Sequence, residues 1–257
     1  MKIRQSFLVI LTALWLCGCS QFTGSAGNTV SVSASTNEIA EANLNLGIAY
    51  LKRGEYEKAL AKLNKALSSD PGYAPTYNAL GLLYQRIGKP EQAEQYYKRA
   101  ISISPNDSST LNNYGQFLCH NNRYDEAQET FLSAANNPLY DSPEVAIANA
   151  GTCALKNNQP DVAESYFRDA LDKNPKVPAA LIQMSELSYN RGNYLSARAY
   201  LQRYLEVTEH TANSLWLGIR IEQELGDKNA ISSYALLLRN NFPESKEAKL
   251  LQESGAK

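Results

Sequence analysis

The chain has 257 residues, 44% of them hydrophobic, with 25 Lys and Arg against 26 Asp and Glu. A net charge of −1 excludes the cationic surface that displaces counterions from nucleic-acid phosphates. Only His120 and His210 are available for histidine-based catalysis or a histidine-rich metal cage, and the length exceeds that at which a core needs metal or disulfide staples.

The chain opens with Lys2 and Arg4, followed by an apolar stretch from Phe7 to Leu16. That stretch is short of the roughly 20 apolar residues a membrane-spanning helix needs, and it has the length of a secretion signal's core. The following Leu16-Cys17-Gly18-Cys19 resembles the bacterial lipobox, with an aliphatic residue three before a cysteine and a small one directly before it. The resemblance implies a leader over residues 1–18 and a lipid on Cys19. Ser20 after the cysteine, in place of Asp, points to the periplasmic face of the outer membrane. Two or more acyl chains, at roughly 0.8 kcal/mol per buried CH₂, anchor a protein stably. The alternative is an ordinary signal peptide with incidental cysteines. Residues 19–38 are rich in Ser, Thr, Gly and Asn and lack helical periodicity. They read as a flexible linker with a typical span of ~25 Å.

From residue 40 the sequence repeats. Leu46-Gly47, Leu80-Gly81, Tyr114-Gly115, Ala150-Gly151, Met184-Ser185 and Leu217-Gly218 follow one another at steps of 34, 34, 36, 34 and 33 residues. Taking each unit to start seven residues earlier gives six units, about 40–73, 74–107, 108–141, 144–177, 178–210 and 211–244. Unit position 20 is alanine in all six, from Ala59 to Ala230. Position 24 is bulky throughout: Leu63, Tyr97, Phe131, Phe167, Leu201 and Tyr234. A small residue at 8 and alanine at 20 let two antiparallel helices approach, and the bulky residue at 24 fills the space beside them. Gly54, Gly88, Asn122, Asn158 and Gly192 hold position 15, where the first helix must reverse in a left-handed conformation. Pro90 and Pro160 suit the first turn of a second helix, and Pro71, Pro105 and Pro175 terminate one.

These positions resemble the tetratricopeptide repeat (TPR), whose period of 34 marks a helix–turn–helix unit. The resemblance implies an all-α, right-handed superhelical solenoid of six repeats spanning 39–257. Residues 245–257 are expected to form a capping helix that solvates the open end. Acidic residues on second helices, among them Glu55, Glu57, Glu91 and Glu94, read as solvated faces.

Cys119 and Cys153 fall on first helices of adjacent units, at unit positions 12 and 10. Parallel neighbouring helices with a two-residue offset can turn one cysteine toward the other, and an exported chain meets an oxidising compartment. Three states stay open for them: a disulfide, which is the expected one, two buried free thiols, or a metal site with His120 that lacks a fourth ligand.

In tetratricopeptide arrays the concave groove is lined by positions 2, 5, 9, 12 and 13 of each first helix. By that resemblance Leu44, Ile48, Leu51 and Leu82 form an apolar patch in the groove, rimmed by Asn78, Gln85 and Arg86. Such a patch suits an apolar peptide or helix, unless residues 38–42 or the linker cover it. Leu44 and Ile48 replace the lysine and asparagine of the clamp with which some family members hold chain-terminal carboxylates. No Gly-rich phosphate loop, His-Glu-x-x-His or Gly-x-Ser-x-Gly occurs, so the chain reads as no enzyme, without metal, cofactor, small-molecule substrate or nucleic acid.

The combination of lipobox, polar tether and six repeats resembles the pilotin lipoproteins of type IV pilus systems. The strings Ala42-Asn-Leu-Asn-Leu-Gly-Ile-Ala-Tyr-Leu51 and Asn112-Asn-Tyr-Gly-Gln-Phe-Leu-Cys119 carry that likeness, as does the cysteine pair. It implies a monomeric adaptor that binds secretin subunits, escorts them to the outer membrane and promotes their assembly into the pilus exit ring. A scaffold that recruits cell-wall hydrolases or outer-membrane assembly clients is the alternative.

Overall fold

The computed structural model describes residues 31–253, with side chains from Asn37 on. The expected leader, Cys19 and the linker up to residue 30 lie outside the described residues. All regular structure among the described residues is helical. The helices pair as α1 (Ser31–Lys52) with α2 (Tyr56–Ser69), α3 (Ala74–Arg86) with α4 (Pro90–Ile103), and α5 (Ser108–His120) with α6 (Tyr124–Ala135). Then come α7 (Pro143–Lys156) with α8 (Pro160–Lys173), α9 (Pro178–Asn190) with α10 (Tyr194–Leu205), and α11 (Ala212–Leu225) with α12 (Lys228–Asn241). Each first helix also touches the first helix of the next pair, as a stacked solenoid requires.

The close approach within each pair is set by the residue at position 8. A Cβ built on Gly47, Gly81, Gly115, Gly151 or Gly218 would come within 2.7–2.9 Å of Leu63, Tyr97, Phe131, Phe167 or Tyr234 respectively. Those partners are the residues at position 24, and the alanines at position 20 in the first five units are fully buried beside them. Ser185 solves the same problem differently: its buried hydroxyl donates to the Ala197 carbonyl at 2.8 Å, across from the smaller Leu201.

Reversals occur where left-handed residues stand. Gly54, Gly88, Asn122, Asn158 and Gly192 have φ between 55° and 75°. The sixth reversal uses Gly226 with φ 77°, one residue later than in the other units, because α11 carries an extra residue. Ser31–Lys52 corrects the sequence reading of the linker: residues 31–38 are helical and continue into unit 1. Ser and Thr are modest helix formers, but extending an existing helix adds one hydrogen bond per residue without the cost of nucleation.

The two ends differ. At one, α13 (Lys246–Glu253) lays Ala248 and Leu251 onto α11 and α12. At the other, Ile39 and Leu46 of α1 stay about half exposed, at 46% and 47%.

Glu94 is a second correction, since it is not a solvated-face residue. Its carboxylate accepts from Arg123 Nη1 at 2.7 Å, Lys98 Nζ at 2.8 Å and the Tyr114 hydroxyl at 3.1 Å, bridging α4 to the next unit. Lys98 first, and then Arg123, hold its pKa down at about 2.

Candidate functional site: the concave groove

The first helices line one side of the array, and between α3 and α5 they leave a groove of about 340 Å³. Its walls are Leu82, Gln85 and Arg86 from α3 and Asn113, Gln116 and His120 from α5. Gln85 is held in place from behind, its side-chain carbonyl accepting from the Tyr97 hydroxyl at 3.0 Å. Tyr97 is fully buried, which pushes its own pKa upward and keeps it a donor.

Two asparagine pairs tie neighbouring first helices together. Asn113 Nδ2 donates to Asn78 Oδ1 at 3.1 Å, joining α3 to α5. Asn149 Nδ2 donates to Asn112 Oδ1 at 2.9 Å, joining α5 to α7. Among the described residues, Asn78 Nδ2 and Asn113 Oδ1 make no further hydrogen bond. One free donor next to one free acceptor matches what an extended peptide backbone offers.

Four of the seven residues assigned from sequence stand in or beside this groove: Asn78, Leu82, Gln85 and Arg86. Ile48 is half-buried and packs against the core of units 1 and 2. Leu44 and Leu51 are a correction. They are only 5% and 9% exposed and sit in the core with Ala59, Leu63, Leu80 and Leu83. Both lie one turn from Gly47 or Ile48 on the face of α1 that meets α2 and α3, so unit 1 uses its leucines for packing. Asn113 lines the groove, as the sequence reading of Asn112-Asn113 has it, and Asn149, which that reading did not single out, shares its unit position 6 in the next unit. A polar residue repeated at one position of an otherwise apolar helix was the available signal.

Below the groove, Cys119 and Cys153 are joined as a disulfide, with Cα atoms 5.8 Å apart. Both are buried among Tyr97, Tyr114, Phe117 and Phe131. Among the described residues no helix is long and apolar enough to cross a membrane.

Stacked helix pairs, small-to-bulky locks at positions 8 and 24, and an amide-lined groove define a tetratricopeptide-repeat protein. The repeat pattern is matched over residues 38–106, 96–129 and 154–214. The chain belongs to the family of the type IV pilus assembly protein PilF. It is 33% identical to that protein of Pseudomonas aeruginosa over 252 residues, covering 98% of this chain and 99% of that one. The solved structure of Pseudomonas aeruginosa pilF superposes with a TM-score of 0.74 over 86% of this chain and 99% of that one, at 33% identity. PilW, described as a widely conserved type IV pilus biogenesis factor, superposes with a TM-score of 0.73 over 84% of this chain and 99% of its own, at 30% identity.

Proposed function

We propose that this protein is a non-enzymatic adaptor that binds secretin subunits through its concave groove. It promotes their localisation to the outer membrane and their multimerisation in type IV pilus biogenesis. In the same reading Cys19 carries the lipid that holds the protein on the periplasmic face of that membrane. The lipid restricts diffusion and raises the effective concentration of whatever the groove holds. The Cys119–Cys153 bond is the state of the pair in the exported protein.

The observation that carries the reading is the groove between α3 and α5. Leu82 supplies an apolar contact, Arg86 and His120 stand at its exposed rim, and the Asn78–Asn113 pair offers a donor and an acceptor. A polypeptide segment satisfies all of these at once. Membership of a pilus assembly family fits a client of that system.

The test pairs Leu82→Asp with Arg86→Glu, a half-buried and an exposed position of the groove wall where a carboxylate can reach water. The double variant is expected to keep its helicity and to lose secretin multimers. Normal multimers would move the client site elsewhere, and cell-wall hydrolases co-purifying in place of secretin would favour the alternative scaffold. Cys19→Ala is expected to release the protein into the soluble periplasmic fraction. Retention in the membrane would refute the lipid anchor.

A further inference from the structure

Unit position 10 faces the preceding unit. It is Leu83, Phe117, Cys153 and Leu187 in units 2 to 5, all buried. In unit 6 the same position is Arg220. A cation has replaced an apolar seam residue, and it lacks the polar partner that other arginines of the array have; half-buried Arg203 also stacks on a tyrosine, Tyr200, but donates to the Pro175 carbonyl at 3.1 Å. Arg123 pairs with Glu94 and Glu126, Arg168 with Glu164, Arg191 with Asp161 and Glu164, and Arg198 with Glu222. Arg220 pairs with no carboxylate among the described residues. Its guanidinium lies 4.7 Å from the ring centroid of Tyr189, and its Nε is buried without a hydrogen-bond partner.

The stack satisfies one face of the guanidinium plane and none of its N–H groups. A half-buried cation is costly unless an anion completes it, and because Nε is buried the groups open to an incoming anion are the two Nη amines. Tyr189 occupies unit position 12, a groove position, so the orphaned group stands beside the concave surface of units 5 and 6. On α11, Glu222 is buried and holds Arg198, with Arg198 Nε donating at 2.8 Å, while Glu224, one turn from Arg220, is exposed to water and forms no ion pair with it.

We propose that Arg220, backed by Tyr189, is a carboxylate-binding site at the far end of the groove from the α3–α5 cavity. It takes an acidic side chain or the C-terminal carboxylate of a bound polypeptide. The inference deepens the polypeptide-holding reading above and rests on it. A guanidinium backed by a ring offers a planar fork to a planar carboxylate, which makes the site selective for charge and geometry together. It also gives the array two separated anchor points, one apolar and amide-lined, the other cationic.

The experiment titrates the purified protein with three pentapeptides. The first is acetyl-Ala-Ala-Glu-Ala-Ala-amide, the second its glutamine counterpart, and the third the glutamine peptide with a free C-terminal carboxylate. Binding is followed by the nitrogen–proton resonance of Arg220 Nε and by the fluorescence of Trp216, four residues earlier on α11. The glutamate peptide is expected to shift the Arg220 resonance and to bind about tenfold more tightly than the glutamine amide, the discrimination of roughly one charge-assisted pair. An equal shift by the free-acid peptide assigns a chain terminus as a second source of the carboxylate. Arg220→Leu, the residue found at 83 and 187, is expected to fold, to melt at a higher temperature and to show no preference for glutamate. Should that variant fail to fold, Arg220→Gln takes its place.

Equal binding of the glutamate and glutamine amides, no movement of the Arg220 resonance, or a glutamate preference that survives either variant would each overturn the proposal. The titration needs no secretin. Its failure therefore leaves the client assay standing, and a failed client assay leaves the carboxylate preference to be read on its own.

Discussion

Glu94 gives the sharpest quantitative test of how the units are coupled. Glu94→Gln keeps the shape and one acceptor while removing the charge that Lys98, Arg123 and the Tyr114 hydroxyl share. A carboxyl shifted from 4.5 to about 2 corresponds to ~3 kcal/mol between its charged and neutral forms. A quarter of the Glu94 side chain meets water and Lys98 is 62% exposed, so screening reduces the expected loss to ~1–2 kcal/mol. The sign follows from the direction of the shift. Because the folded-state value lies below the ordinary one, the stabilisation is complete above about pH 4.5 and drains away as the pH falls through about 2. Urea unfolding of the wild type and Glu94→Gln at pH 7, 4.5 and 3 measures this. The gap between them should be full at pH 7, close to full at pH 4.5 and clearly smaller at pH 3. A gap of constant size across that range would refute the coupling, since it would have to come from packing alone.

Gly115→Ala should destabilise by about 1–2 kcal/mol, because the new Cβ meets Phe131 at 2.7 Å. Overpacking of ~1–3 kcal/mol outweighs a helix-propensity gain of up to ~1 kcal/mol, and urea midpoints read the balance. Removing the cross-link with Cys119→Ser and Cys153→Ser opens a loop with a sequence separation of 34 residues. That should cost ~3–4 kcal/mol and lower the melting temperature by roughly 10 °C. Asn158→Gly should stabilise by about 0.5 kcal/mol, because Asn158 sits at φ 55° where glycine is unstrained. A calorimetric scan checks it.

Much of this architecture is written in the spacing. Sterically extreme residues carry it: glycine at position 8, alanine at 20, a ring or leucine at 24, and glycine or asparagine where a helix must turn back. Each has one physical role, so its recurrence at a fixed step is readable without coordinates. The start of α1 was not readable in this way, because Ser31–Asn37 have no pattern of their own and are helical as an extension of a helix packed elsewhere. Leu44 and Leu51 show a second limit. A leucine on a boundary between groove and core looks the same in either role, and its neighbours α2 and α3 decide. Gly226 shows a third, since one extra residue in α11 moved the reversal out of register while Gly218 stayed against Tyr234. Arg220 was invisible for a related reason: position 10 matters only once the seam it enters is known to be apolar in the preceding units.

The length of α1 has a mechanical consequence. Its 22 residues make a rod of ~33 Å, whose C-terminal half is clamped between α2 and α3 through Leu44 and Leu51. A load applied at Ser31 is transmitted along hydrogen-bonded backbone straight into that clamp, with no slack to take up first. The first thing to give under tension is therefore the seating of unit 1 on unit 2, and the rest of the stack feels the pull only through that joint.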